Sequence, residues 1–242
     1  MSLQDRYQKV KEGIAAAAAR ARRDVSDITL VAVAKNGSPE QIKQMVEMGQ
    51  LDLAENRVQQ LQQRAAQLDE WLMRMQGRSE KKLPPASAIR WHMIGHLQRN
   101  KVKAVMSICS CIHSVDSLRL AEEIQEDSER AQKIMPVLLE VNVAGESSKF
   151  GVAVGAALHL AEQIDTMDEV SLIGLMCMAP YSANPEDARP VFVRLREIFD
   201  EIKFRKIGGD RFKHLSMGMS GDYQVAIEEG ATMVRVGTAI FG

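Results

Sequence analysis

Short apolar or β-branched runs alternate with longer stretches of helical periodicity along the chain. The candidate strands are ITLVAVAK (28–35), LDLAEN (51–56), IRWHMIGH (89–96), CIHSVD (111–116), MPVLLEVN (135–142), SLIGLMCMA (171–179), HLSMGMS (214–220) and TMVRVGTAIF (232–241). Several are apolar on both alternating faces, as parallel strands are when helices cover both sides of the sheet. Helical periodicity fills the gaps at 57–75, 98–107, 117–132, 153–166, 186–203 and 221–229, and predicts a further helix at 3–23, ahead of the first strand. The helix after the first strand shows its own start and stop. Ser38 caps, Pro39 suits the first helical position, Gln41 completes a capping box, Ile42, Met45 and Val46 form the inward stripe, and Gly49 ends it.

Eight such β/α units in 242 residues predict an α/β fold, a single-domain (β/α)8 TIM barrel with an extra N-terminal helix. A doubly wound open sheet is the alternative. The polar stretch GRSEKKLPPASA (77–88) is the one long loop, and it reads as a surface excursion because the alternation resumes after it. Residues 1–242 are therefore expected to form one domain.

Composition narrows the class of partner. With 45% hydrophobic residues, 26% charged residues and a net charge of −1, the chain lacks the basic stripe of a nucleic-acid binder, so small, weakly charged partners are expected. No apolar run approaches the roughly 18 residues of a membrane span. The segment IAAAAARARRD lacks the ordered regions of a secretion signal and reads as an exposed amphipathic helix. The three cysteines, Cys109, Cys111 and Cys177, have no metal or redox spacing, which suits small core residues in a reducing compartment. A cytoplasmic location is the expectation.

The chemistry gathers where a barrel places it, at the carboxyl ends of the strands. Lys35 ends the first strand, Glu55 and Asn56 the second, His96 the third, Asp116 the fourth and Asn142 the fifth. Met178 and Pro180 follow the sixth, Ser216 to Ser220 end the seventh, and Arg235, Gly237 and Thr238 belong to the eighth. A lysine ending a buried strand needs a partner or a use, because desolvating an ammonium is costly. LSMGMSGD and VRVGTAIFG offer glycines and hydroxyls to a phosphate, at the loops where barrels commonly bind one. Lysine plus phosphate cradle suits a phosphorylated carbonyl compound held as a Schiff base, either pyridoxal 5'-phosphate or a sugar phosphate. Lys149 is a rival amine, and Lys35 as a snorkelling strand-end lysine is the plain structural alternative.

The segments VAVAK, LAENRVQQ, WHMIGHLQRNKVK, IHSVDSLRLAEEI, LLEVNVAGESSKFGV, GLMCMAP and LSMGMSGDYQVAIEEGATMVRVGTAIFG closely resemble the pyridoxal phosphate homeostasis (YggS/PROSC) family, from about residue 28 to Gly242. The resemblance implies a barrel like the N-terminal domain of alanine racemase, holding pyridoxal 5'-phosphate (PLP) as a Lys35 aldimine. It also implies that Arg235 faces the pyridine nitrogen and that Ser216, Ser220, Gly237 and Thr238 take the phosphate. Asn56, Met93, Ile94 and Met178 would line the ring or its surroundings. The implied function is vitamin B6 and amino-acid homeostasis without substantial turnover, with apo-enzymes as recipients of the cofactor, a monomeric state and no catalytic residue. A PLP-dependent amino-acid racemase is the alternative. Arginine cannot accept a proton, so a pyridine facing it is a poor electron sink. Burial of Lys35 is expected to favour its neutral, nucleophilic form. His92 and His96, four residues apart, lie over about 12 Å apart on a strand, so no metal site is expected. Asp116 and Asn142 are read as turn or helix caps as readily as site residues, and Met176, Met178, Met217 and Met219 as barrel packing.

Overall fold

The computed structural model describes residues 1–75, 83–146 and 149–242. The start of the long loop, residues 77–82, lies outside the described residues. Eight strands form a closed parallel ring: β1 (Thr29–Val33), β2 (Asp52–Glu55), β3 (Arg90–Met93), β4 (Cys109–Val115), β5 (Met135–Asn142), β7 (Val170–Met176), β8 (His214–Ser216) and β9 (Met233–Val236). Closure is made where Val31 of β1 stands beside Arg235 of β9, and where Ile112 of β4 stands beside Val137 of β5. The two-residue β6 (Val152–Ala153) adds only to the end of β5. The open-sheet alternative is thereby excluded, and the chain is a single-domain (β/α)8 barrel.

Helices follow the strands as the periodicity predicts: α2 (Pro39–Glu47), α3 (Val58–Met75), α4 (Val102–Met106), α5 (Leu118–Ala131), α6 (Val154–Asp165), α7 (Arg189–Phe204) and α8 (Tyr223–Glu228). The Ser38–Gln41 capping box of α2 is formed in both directions, at 3.2 and 2.9 Å. The extra helix, α1 (Leu3–Arg20), packs on α8 and on a short last helix, α9 (Thr238–Phe241). That last helix corrects the strand expected over 232–241. Its Ile240 and Phe241 are buried, and Arg6 of α1 donates from Nε to the Ile240 carbonyl at 2.6 Å. An apolar run with Gly237 ahead of it satisfies its backbone by turning rather than by extending the ring.

Alternation along the strands separates two cores. Ala32, Ala34, Leu53, Ile112, Leu139 and Val234 join the large cluster between ring and helices. Val31, Val33, Ala54, Cys111, Leu138, Met176 and Met233 form a smaller cluster inside the ring. Small inward residues leave room in the barrel interior, and polar groups occupy it: Asp52, His92, His113, Glu140, Ser216 and Arg235 are all buried. Buried polar groups of this kind are tolerated only when partnered.

Candidate functional site

A cavity of about 470 Å³ opens at the carboxyl ends of the strands. Lys35, Asn56, Ile94, Met178, Ser220, Arg235, Gly237 and Thr238 line it, together with His96, Glu140, Lys149, Phe150 and Asp222. Met93 and Ser216 do not: both are fully buried, one in the large core and the other against Arg235. Lys35 and Lys149 both reach the cavity, so position alone does not rank the two amines.

Lys35 is exposed and sits in a 3-10 turn, Ala34–Asn36, just beyond β1. The expectation that burial favours its neutral form is therefore corrected; the strand ends two residues early and the turn swings the side chain out. The turn is braced from α3, where Arg64 Nη2 donates to the Lys35 carbonyl at 3.2 Å. Arg64 Nη1 meets Glu55 at 2.6 Å, and the Glu55 side chain is wholly buried. Burial raises the Glu55 carboxyl, and the Arg64 charge opposes that rise.

Arg235 is held differently. It is only 3% exposed, Nη1 donates to Ser216 Oγ at 2.6 Å, and Nη2 donates to the Cys177 carbonyl at 2.8 Å. Each terminal nitrogen is thus tied at a fixed point, which sets the plane of the guanidinium at the cavity wall. Beside it, Ser220 Oγ accepts from the amides of Gly237 at 3.3 Å and Ala239 at 3.2 Å. The loop carrying Ser220 turns at Gly218, with φ +91°, where a Cβ would lie 2.5 Å from the Ala226 Cβ. Hydroxyls, a backbone turn and a pinned guanidinium suit an anionic group, and the exposed amine suits a carbonyl carbon. These residues fit a phosphorylated aldehyde such as PLP.

The family model described as "Alanine racemase, N-terminal domain" matches residues 8–242. A protein of Aquifex aeolicus named pyridoxal phosphate homeostasis protein is 40% identical over 242 residues, covering 100% of this chain and 98% of its own. The chain belongs to the pyridoxal phosphate homeostasis family. Another family protein, from Pasteurella multocida, is 31% identical over all of this chain and 97% of its own. Among solved structures, one of PipY from Synechococcus elongatus with PLP bound superposes with a TM-score of 0.79 at 26% identity, each chain covered 100%. An alanine racemase of Clostridium difficile, 14% identical with a TM-score of 0.66, shares the fold over 89% of this chain and 52% of its own.

In this family member the rim also holds groups that sequence reading passed over. Glu140, on β5, is 3% exposed and lines the cavity. Burial pushes its carboxyl up to about 7, against the pull of Arg235 and with a push from Asp116. Its signal was present: an acidic residue at an inward position of the apolar run LLEVN. His96 bonds Asp116 at 3.2 Å and stacks on Phe150 with centroids 3.9 Å apart, while Ser117, not Asp116, stands at the N-cap of α5. Asn142 ties the following loop by donating to the Glu146 carbonyl at 2.9 Å. Of the methionines, Met176 and Met217 pack in the cores, whereas Met178 and Met219 line the cavity.

Proposed function

We propose that this chain holds PLP in the rim cavity as an aldimine on Lys35 and serves vitamin B6 and amino-acid homeostasis without substantial catalytic turnover. The observation that carries the reading is the pairing, in one cavity, of an exposed amine at Lys35 with the pinned guanidinium of Arg235. The Ser220–Gly237–Thr238 corner takes the phosphate, Arg235 faces the ring nitrogen, and Asn56, Ile94 and Met178 flank the ring. Ser216 acts from behind, through its bond to Arg235, whereas Met93 packs in the large core. PLP supplies an electrophilic aldehyde and a conjugated ring; the protein's own residues bind, orient and shelter it. A donor-only arginine at the ring nitrogen favours storage over carbanion chemistry. The chain acts as one domain and as a monomer, in the cytoplasm, and passes cofactor to apo-enzymes; no described helix is long and apolar enough to cross a membrane.

Visible absorption with added PLP, followed by borohydride reduction and peptide mass mapping, tests the site in wild type and Lys35→Ala. A yellow band trapped on Lys35 and lost in the variant supports the reading. Label on Lys149 overturns it. One observation favours the racemase alternative, the Glu140 carboxyl with its raised pKa in the same cavity, since such a group exchanges protons near neutrality. Deuterium exchange at the alpha carbon of L-amino acids separates the two: turnover that disappears in Glu140→Gln would make the protein an enzyme.

A further inference from the structure

Beneath the cavity, a line of side chains crosses the barrel interior from its opposite mouth. Arg90, half-exposed there, donates to both oxygens of Asp52, Nε at 2.7 Å and Nη2 at 2.5 Å. Asp52 Oδ1 stands 3.1 Å from His92 Nε2, His92 Nδ1 stands 2.9 Å from His113 Nε2, and His113 Nδ1 stands 2.9 Å from Ser216 Oγ. Ser216 Oγ then accepts from Arg235. The chain draws on β3, β2, β4, β8 and β9, and every member except Arg90 is buried.

The two ends decide where each proton sits. A guanidinium only donates and an ionised carboxylate only accepts. Burial raises the Asp52 carboxyl, but its bonds to His92 and Arg90 outweigh that and bring it to about 2. His113 is held neutral, its pKa driven well below the usual range by burial, with the Arg235 charge acting in the same direction. If its proton were on Nδ1, Ser216 would accept twice and its own proton would lack this partner. Nε2 would then demand a proton from His92 Nδ1, making His92 a buried cation. With the proton on Nε2, every link has one donor and one acceptor, running from Arg235 through Ser216, His113 and His92 to Asp52.

We infer that His92 and His113, both as neutral Nε2–H tautomers, are positioning residues for the cofactor ring, fixing Arg235 through Ser216 from the far mouth of the barrel. This rests on the reading that Arg235 faces bound PLP. Cys111 joins the two histidines with ligand atoms all within 4.8 Å, a trio a soft cation would suit. In the relay, however, the lone pairs of both His92 Nδ1 and His113 Nδ1 already accept hydrogen bonds.

Two measurements test this. Long-range proton–nitrogen NMR of the ¹⁵N-histidine-labelled apo protein is expected to show one protonated nitrogen, Nε2, on each of His92 and His113. A proton on His113 Nδ1, a doubly protonated His92, or shifts of both rings on adding zinc would overturn the inference. In PLP titrations, His113→Leu is expected to weaken binding about tenfold and to shift the visible band of bound PLP, because Ser216 loses its acceptor. His113→Gln, which keeps a donor toward His92 and an acceptor toward Ser216, restores both in part. A folded His113→Leu with unchanged affinity and band overturns the inference; if that variant does not fold, Asp52→Asn is judged by the same readouts. Should wild type bind no PLP, the cofactor reading fails, and the tautomers still decide the relay.

Discussion

Removing Arg64 leaves the Glu55 carboxylate buried without its cation, and the cost follows from the geometry. The pair is 2.6 Å apart, with side-chain exposures of 16% for Arg64 and 0% for Glu55. Breaking a buried pair from one side costs about 3–5 kcal/mol, and the slight exposure of Arg64 puts Arg64→Leu near the lower end. For a domain of this size each kcal/mol lowers Tm by roughly 2–4 °C, so a fall of about 6–12 °C is expected at pH 8. Glu55 already has a raised folded pKa, and losing Arg64 raises it further. A raised carboxyl pKa destabilises the fold only where the unfolded chain has lost its proton, above about pH 4.3. The deficit of Arg64→Leu should therefore be full at pH 8 and shrink steadily as pH falls toward 4.5. Scanning calorimetry over that range measures it, and in Arg64→Leu/Glu55→Leu much of the loss should be recovered. A deficit of the same size at pH 5 and pH 8, or losses that simply add in the double variant, would refute the assignment of a desolvated ion pair. Arg64 also bonds the Lys35 carbonyl, so the same variant is expected to slow trapping of PLP on that lysine.

Glu140 has a folded pKa of about 7 against roughly 4.3 in the unfolded chain, so stability falls as pH rises between those values, and Glu140→Gln should gain about 3 kcal/mol at pH 8 and little at pH 4, read by denaturant unfolding. Gly218→Ala forces a Cβ against Ala226 at φ +91°; a loss of about 2–3 kcal/mol is expected, with weakened PLP retention in equilibrium dialysis. Burial pushes the Cys109 and Cys177 thiols up to about 12 and Cys111 higher still. A maleimide at pH 8 should label none of the three in the native protein and all of them in denaturant.

The barrel was legible because its elements are separated by strong local signals. The capping box at Ser38, the two-sided apolar strands and the glycines at helix ends each agree with the architecture, and MPVLLEVN is a strand over the very residues expected, Met135–Asn142. The misplaced boundaries lie where tertiary contacts decide. ITLVAVAK contains no local reason to stop at Val33; the turn at Lys35 is held by Arg64 from α3, beyond the second strand. Likewise TAIF looks like strand until α1 is present to cover it. At the site, the rim residues could be found from strand ends alone. Asp52, His92, His113 and Glu140 were harder, because in a strand apolar on both faces an inward polar residue is distinguishable only once the register of its neighbours is known.

Ring closure also sets an order for the protein's birth on the ribosome. Thr29 of β1 pairs with Met233 of β9, contacts about two hundred residues apart in the chain, and such non-local pairings form late. Lys35 emerges early, whereas Arg235, Gly237 and Thr238 emerge about two hundred residues later. A nascent chain halted before β9 can present the amine and Ser220, but it has neither the guanidinium nor the Gly237–Thr238 side of the phosphate corner, and its first strand has an unsatisfied edge. The ligand cavity is thus complete only once β9 has joined β1, so closing the ring and finishing the pocket are one and the same folding event.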